Sequence, residues 1–134
     1  MLPFEFTVDG PPVSQQTKNR SRLQSWEAAV RSRAAARWPA QCPPLTQPLR
    51  VVLVYYYEGE PLDTDNMIKP IWDALKGLVY QDDGQINDAG AHRRSLDGSF
   101  QVRHMSPVLA EGFVGGRGFV YVRVEECLDP EVLP

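Results

Sequence analysis

The nine residues "LRVVLVYYY", Leu49 to Tyr57, are β-branched or aromatic almost throughout. Such a run suits a strand buried on both faces near the middle of a sheet. The stretch before it, "PAQCPPLTQP" (Pro39 to Pro48), carries too much proline to continue a helix or enter a sheet interior, and so predicts an extended connector. After it, Pro61 to Gln85 reads as an amphipathic helix followed by a turn. The chain therefore passes from a central strand almost directly into a helix, and the rest must supply partners for both.

Phe4, Phe6 and Val8 alternate with Glu5, Thr7 and Asp9, which predicts a strand over Leu2 to Val8 that "DGPP" stops. The polar, basic stretch "SQQTKNRSR" reads as an exposed arm. Leu23, Trp26, Val30 and Ala34 recur at helical spacing and predict a helix from about Arg22 to Trp38. Ile86 to Arg94 reads as a weaker strand and "SFQVRHM" as another. "SPVLAEGF" predicts a short helix with Ser106 as cap and Pro107 at its first position, and "GFVYVRVEE" closes the sheet. Interspersed strands and helices imply an α+β fold, a mixed β-sheet with flanking helices. At 134 residues and 43% hydrophobic composition, the expectation is one globular domain spanning 1–134.

No apolar run approaches the roughly 20 residues that span a bilayer, and the N-terminal stretch lacks a basic segment followed by an apolar one. A cytoplasmic protein with no membrane association is expected. Cys42 and Cys127 are far apart, without a partner at metal-ligand spacing, and read as thiols of a reducing compartment rather than zinc ligands.

Charge is distributed unevenly. Residues 1–57 hold seven Lys/Arg against three Asp/Glu, whereas residues 58–90 hold two against eight. A basic arm thus precedes an acidic centre. The overall −3 argues against a protein that coats nucleic acid indiscriminately, but not against an enzyme whose acidic site is rimmed by arginine.

The acidic centre holds Asp63, Asp65, Asp73, Asp82 and Asp83. Gathered carboxylates repel one another unless water, basic side chains or a metal compensates. Ile68, Ile71, Trp72, Leu75, Leu78 and Val79 share one helical face. Pro70 belongs in the first turn, which sets the start between about Asp65 and Lys69, with Asn66 as N-cap and Gly77 as the stop. If Asp63 and Asp65 are still extended at the strand exit, both carboxylates face the same way, the spacing a shared Mg²⁺ requires. A surface turn uses the same residues for its own backbone. The helix could return Asp82 and Asp83 beside the first pair, which strengthens the case for a shared ion; the alternative for "QDDGQ" is a solvated turn in which neither Asp depends on metal. Lys69 either reaches a bound phosphate or forms an i,i+4 ion pair with Asp73.

The pattern Asp63-x-Asp65-Asn66-x-x-Lys69, then Asp73-Ala74-Leu75, Gly77 and Asp82-Asp83-x-Gln85, resembles the signature of the RusA family of Holliday-junction resolvases, and "GPPVSQQTKNRSR" is similar to that family's N-terminal portion. The resemblance implies a homodimeric, Mg²⁺-dependent endonuclease that introduces paired nicks in four-way DNA junctions during recombination and repair. By the same resemblance Asp63, Asp65 and Asp83 are catalytic and hold the metal, Lys69 is the catalytic lysine, and Asp82 plays a supporting part. Lys18, Arg20 and Arg22, with Arg93 and Arg94 behind them, are the candidates for DNA-backbone contacts. Trp26, Trp38 and Trp72 are expected in the core or a dimer contact, and His92 and His104 in no catalytic role. Two other readings of the same residues are a junction-binding module without turnover and a metal-dependent phosphohydrolase acting on nucleotides.

Overall fold

The computed structural model describes residues 2–59, 61–98, 100–127 and 131. Its elements, in chain order, are β1 (Phe4–Asp9), α1 (Arg20–Arg37), β2 (Leu49–Tyr57), α2 (Thr64–Leu75), a 3₁₀ turn (Asp83–Gln85), β3 (Ile86–Ser95), α3 (Pro107–Val114) and β4 (Phe119–Glu126). The strands form a mixed sheet in the order β1-β4-β2-β3, as the α+β reading requires. β4 runs antiparallel to both β1 and β2, while β2 and β3 are parallel. Parallel neighbours need a crossover, and here α2 supplies it.

Residues on β2 alternate: Leu49, Val51, Leu53 and Tyr55 are buried, while Arg50, Val52, Val54 and Tyr56 are half-buried. The strand is central, as expected, but only one of its faces is fully covered. That face meets Leu23, Trp26, Val30 and Ala34 of α1 and Met67, Ile71 and Leu75 of α2, together with Phe6, Val122 and Val124 of neighbouring strands. The opposite face carries a smaller cluster in which Leu109 of α3 packs with Phe119 and Tyr121 of β4. Gly112 permits that close approach, since a Cβ there would lie 2.3 Å from the Phe119 ring.

Helix α1 starts two residues earlier than expected, because Asn19 caps it by accepting the Arg22 N–H at 3.0 Å. Arg20 and Arg22 thus sit in its first turn rather than on a free arm. Trp26 and Trp38 are core residues, and Trp72 is half-buried against the same cluster. Arg31 of α1 donates to the carbonyls of Ala74 and Lys76 at 3.1 and 2.9 Å, satisfying groups the end of α2 leaves open. Helix α3 matches the expectation, with Ser106 as cap and Pro107 at its first position.

Two further expectations about these elements fail. "SFQVRHM" forms no strand: the described residues Phe100 to Met105 are irregular, with His104 at φ +56°, and Ser99 lies outside the described residues. Pro70 is not in the first turn of α2 but well inside the helix, which begins at Thr64. Its missing N–H would have bonded the Asn66 carbonyl, and that carbonyl instead accepts the Gln15 N–H at 3.0 Å. A distant loop thus makes use of the acceptor that proline leaves vacant. The buried face shifts accordingly to Met67, Pro70, Ile71, Ala74 and Leu75, leaving Ile68 and Trp72 at its margin and Leu78 and Val79 beyond the helix end. Among the described residues, no helix is long and apolar enough to cross a membrane.

Candidate active site

Asp63 is the N-cap residue of α2 and Asn66 lies in its first turn, so the expectation of Asn66 as cap is corrected by three residues. Because β2 ends at Tyr57, Asp63 and Asp65 are not an extended pair. Asp65 is in the first helical turn, where the unsatisfied N–H groups and the helix dipole favour a carboxylate. Asp63 makes no capping bond; its side chain is 76% exposed and lies 3.8 Å from the Arg93 guanidinium. Arg93 also donates to the Leu62 carbonyl, which ties the end of β3 to the start of α2.

Asp65, Lys69 and Asp73 follow at i, i+4 and i+8, which places them along one face of α2, away from the core. Lys69 Nζ lies 2.8 Å from Asp73 and 3.2 Å from Asp83. These interactions, the Asp73 hydrogen bond first and Asp83 second, hold the ammonium above the ordinary lysine range. The chain after α2 therefore does return to the helix, but it meets the helix near Asp73, below Asp63 and Asp65.

The turn that brings it back is tightly held. The Tyr80 hydroxyl, on a fully buried side chain, donates to the Trp72 carbonyl at 2.7 Å, and burial pushes the phenol far above the usual tyrosine range. Asp82 accepts the Gly84 N–H, and Gln85 Oε1 accepts the N–H groups of Gln81 and Asp82 at 3.0 Å each. Gln85 Nε2 donates to the carbonyls of Leu45 and Gln47. Lys76 lies 3.0 Å from Asp82, and its hydrogen bond, with that from Gly84, draws the Asp82 carboxyl below the ordinary range. Asp82 and Gln85 thus build the turn that presents Asp83. Gln85 is absent from the candidates that the sequence suggests, although Asp-x-x-Gln is the spacing of a capping box and signals its positioning role.

Asp63, Asp65 and Asp83 do not converge. Among the described residues no three His, Cys, Asp or Glu side chains form a group able to hold an ion. Their oxygens are of the kind Mg²⁺ prefers, but in one chain they are not arranged as a cage. Among the proposed DNA contacts, Lys18, Arg20, Arg22, Arg93 and Arg94 are all exposed.

Taken together, the fold and this ridge define a small α+β protein that sets carboxylates, a lysine and exposed arginines along one helix and its flanks. That equipment suits phosphodiester chemistry. The family model for endodeoxyribonuclease RusA matches residues 9–103, and the chain belongs to this family of endodeoxyribonucleases acting on branched DNA. The match takes in α1, β2, α2 and β3 and every candidate residue above, and leaves α3 and β4 outside it. No curated protein matches the chain.

Proposed function

We propose that this endonuclease resolves four-way DNA junctions by paired, symmetric nicks, works as a homodimer in the cytoplasm, and serves recombination and repair. The observation that carries the reading is the ridge of α2, where Asp65 and Lys69 stand one turn apart and Lys69 links the helix to Asp83. A four-way junction has two-fold symmetry, so two opposed cuts are best made by a two-fold dimer with two sites.

In this reading the basic residues bind and the ridge acts. Lys18, Arg20 and Arg22 take backbone phosphates on one side of α2, and Arg93 takes them beside Asp63. Lys69 places a point charge where the scissile phosphate accumulates negative charge, a contribution that grows as water is excluded. Asp65, at the positive end of α2 and in no ion pair among the described residues, is the carboxylate best placed to orient an attacking water. We propose that the reaction requires Mg²⁺, with Asp63, Asp65 and Asp83 as its donors. Because these three are apart in the single chain, what each contributes here is its own charge and position.

Asp65→Asn tests the assignment. It should lower junction cleavage about a hundredfold or more while leaving the melting temperature nearly unchanged, since the residue is exposed. Cleavage at the wild-type rate would remove Asp65 from the reaction.

A further inference from the structure

On the face of the sheet opposite α2, four aromatic rings form a connected series. Tyr56 stacks on Phe119 at 4.8 Å, and Phe113 meets both edge-on. Phe100 stacks on Phe113 at 5.5 Å and stands at the outer end, 49% exposed. Next to it lies a hollow of about 270 Å³ whose wall includes Tyr56, Arg94, Phe100, Gln101 and Arg103.

Among the described residues this hollow is lined by two arginines and no acid. Neither Arg94 nor Arg103 joins an ion pair among the described residues, and Arg94 commits one N–H to the Arg93 carbonyl at 2.8 Å. Glu58 and Asp97 line a separate hollow that also touches Phe100 and Arg117, and both accept backbone N–H groups there, Glu58 from Gly118 at 2.8 Å and Asp97 from Gly59 at 3.4 Å. A half-exposed π face, two guanidiniums and a carboxamide fit a nucleobase and its phosphate, since single strands are held by stacking on aromatics within a positive groove.

Position supplies the second argument. Arg93 and Arg94 are consecutive on β3, so their side chains leave opposite faces of the sheet. Arg93 lies by Asp63 and Arg94 lines the hollow. A strand crossing the end of β3 would meet both. We propose that the hollow takes one unpaired nucleobase of DNA, stacked on Phe100, with Arg94 and Arg103 on its flanking phosphates. The inference rests on the reading of branched DNA as substrate, because a branch point offers unstacked bases. Of the residues that line the hollow, Leu109 alone lies beyond the span of the family match.

The test is fluorescence anisotropy of the full chain with a labelled oligothymidylate of about 15 nucleotides, in EDTA, alongside junction cleavage. Phe100→Leu keeps the apolar packing on Phe113 and removes the π face; it should weaken oligonucleotide binding about tenfold without changing the melting temperature. Phe100→Tyr should bind like the wild type, and Arg103→Gln should flatten the salt dependence by about 0.7 in log–log slope. Undiminished binding by Phe100→Leu would overturn the hollow, as would an equal weakening on duplex DNA or a dissociated dimer with oligonucleotide affinity intact. A wild type that cleaves junctions while Phe100→Leu binds normally would sink this inference and leave the proposed function standing. A wild type that binds through Phe100 yet cuts no junction would do the reverse.

Discussion

Replacing Lys69 by Met exposes what its ammonium does for the fold. Lys69 Nζ lies 2.8 Å from an Asp73 oxygen and 3.2 Å from an Asp83 oxygen, so those oxygens are no farther apart than the two distances together, 6.0 Å. Two unit charges at that separation repel by about 0.7 kcal/mol in a water-like dielectric and about 2.8 kcal/mol at an effective value of 20. The Lys69, Asp73 and Asp83 side chains are 51%, 36% and 29% exposed, which favours the lower figure. That repulsion is present with or without Lys69, so the substitution costs the two lost ion pairs alone, at about 0.3–0.5 kcal/mol each, or about 0.6–1 kcal/mol in all. For a chain of this size that is a fall of about 2–4 °C in melting temperature, measurable by circular dichroism in low salt. At about 1 M salt the Debye length shrinks to about 3 Å, and the destabilisation should fall by more than half. Asp83→Asn added to Lys69→Met should restore most of it. An unchanged melting temperature, or a double variant no better than the single, would refute the view that Lys69 neutralises this pair.

Gly112→Ala would press a methyl against the buried Phe119 ring, and overpacking of this kind costs about 1–3 kcal/mol; a wild-type melting temperature would show that α3 yields freely. Asp82 should titrate below the ordinary aspartate range by NMR, because Lys76 and the Gly84 N–H stabilise its ionised form. With its folded value depressed, its stabilising contribution is present above the unfolded value and is lost as pH falls through the folded one. Lys76→Met should move that midpoint upward, and a midpoint that stays put would remove Lys76 as the cause. Exchanging Lys18, Arg20 and Arg22 together for Gln should flatten the log–log salt dependence of junction binding by about 0.9 for each phosphate no longer neutralised; an unaltered slope would clear the arm of phosphate binding.

What local pattern alone determines was legible in the sequence. Leu23, Trp26, Val30 and Ala34 face the core because helical spacing leaves them no other common direction, and Ser106-Pro107 starts α3 through cap chemistry confined to one turn. The errors arise where a distant partner decides. Pro70 looks confined to a helix start because no residue near it can use the carbonyl it leaves open, yet the Gln15 N–H, far away in sequence, does. Residues Phe100 to Met105 carry strand-like composition, but Phe100 packs on Phe113 of α3, a distant contact that local pattern does not announce, and the segment stays outside the ladder. For the acids, the return of Asp83 to α2 was readable from the helix and turn. Its level along the helix depends on Tyr80 and Gln85 binding backbone carbonyls, which no periodicity reveals. The hollow beside Phe100 is hidden for the same reason, since its parts come from β2, β3, α3 and the segment before it.

The central claim is that the ridge of α2 cuts branched DNA. Mapping the nicks made by the purified chain on an end-labelled four-way junction and on its linear duplex arms, with Mg²⁺ or with EDTA, tests it most directly. The account predicts cuts at symmetric positions on two opposed strands, near the branch point, only with Mg²⁺ and not in the linear arms. Cuts of equal extent in the linear duplexes, or cuts that persist in EDTA, would contradict it.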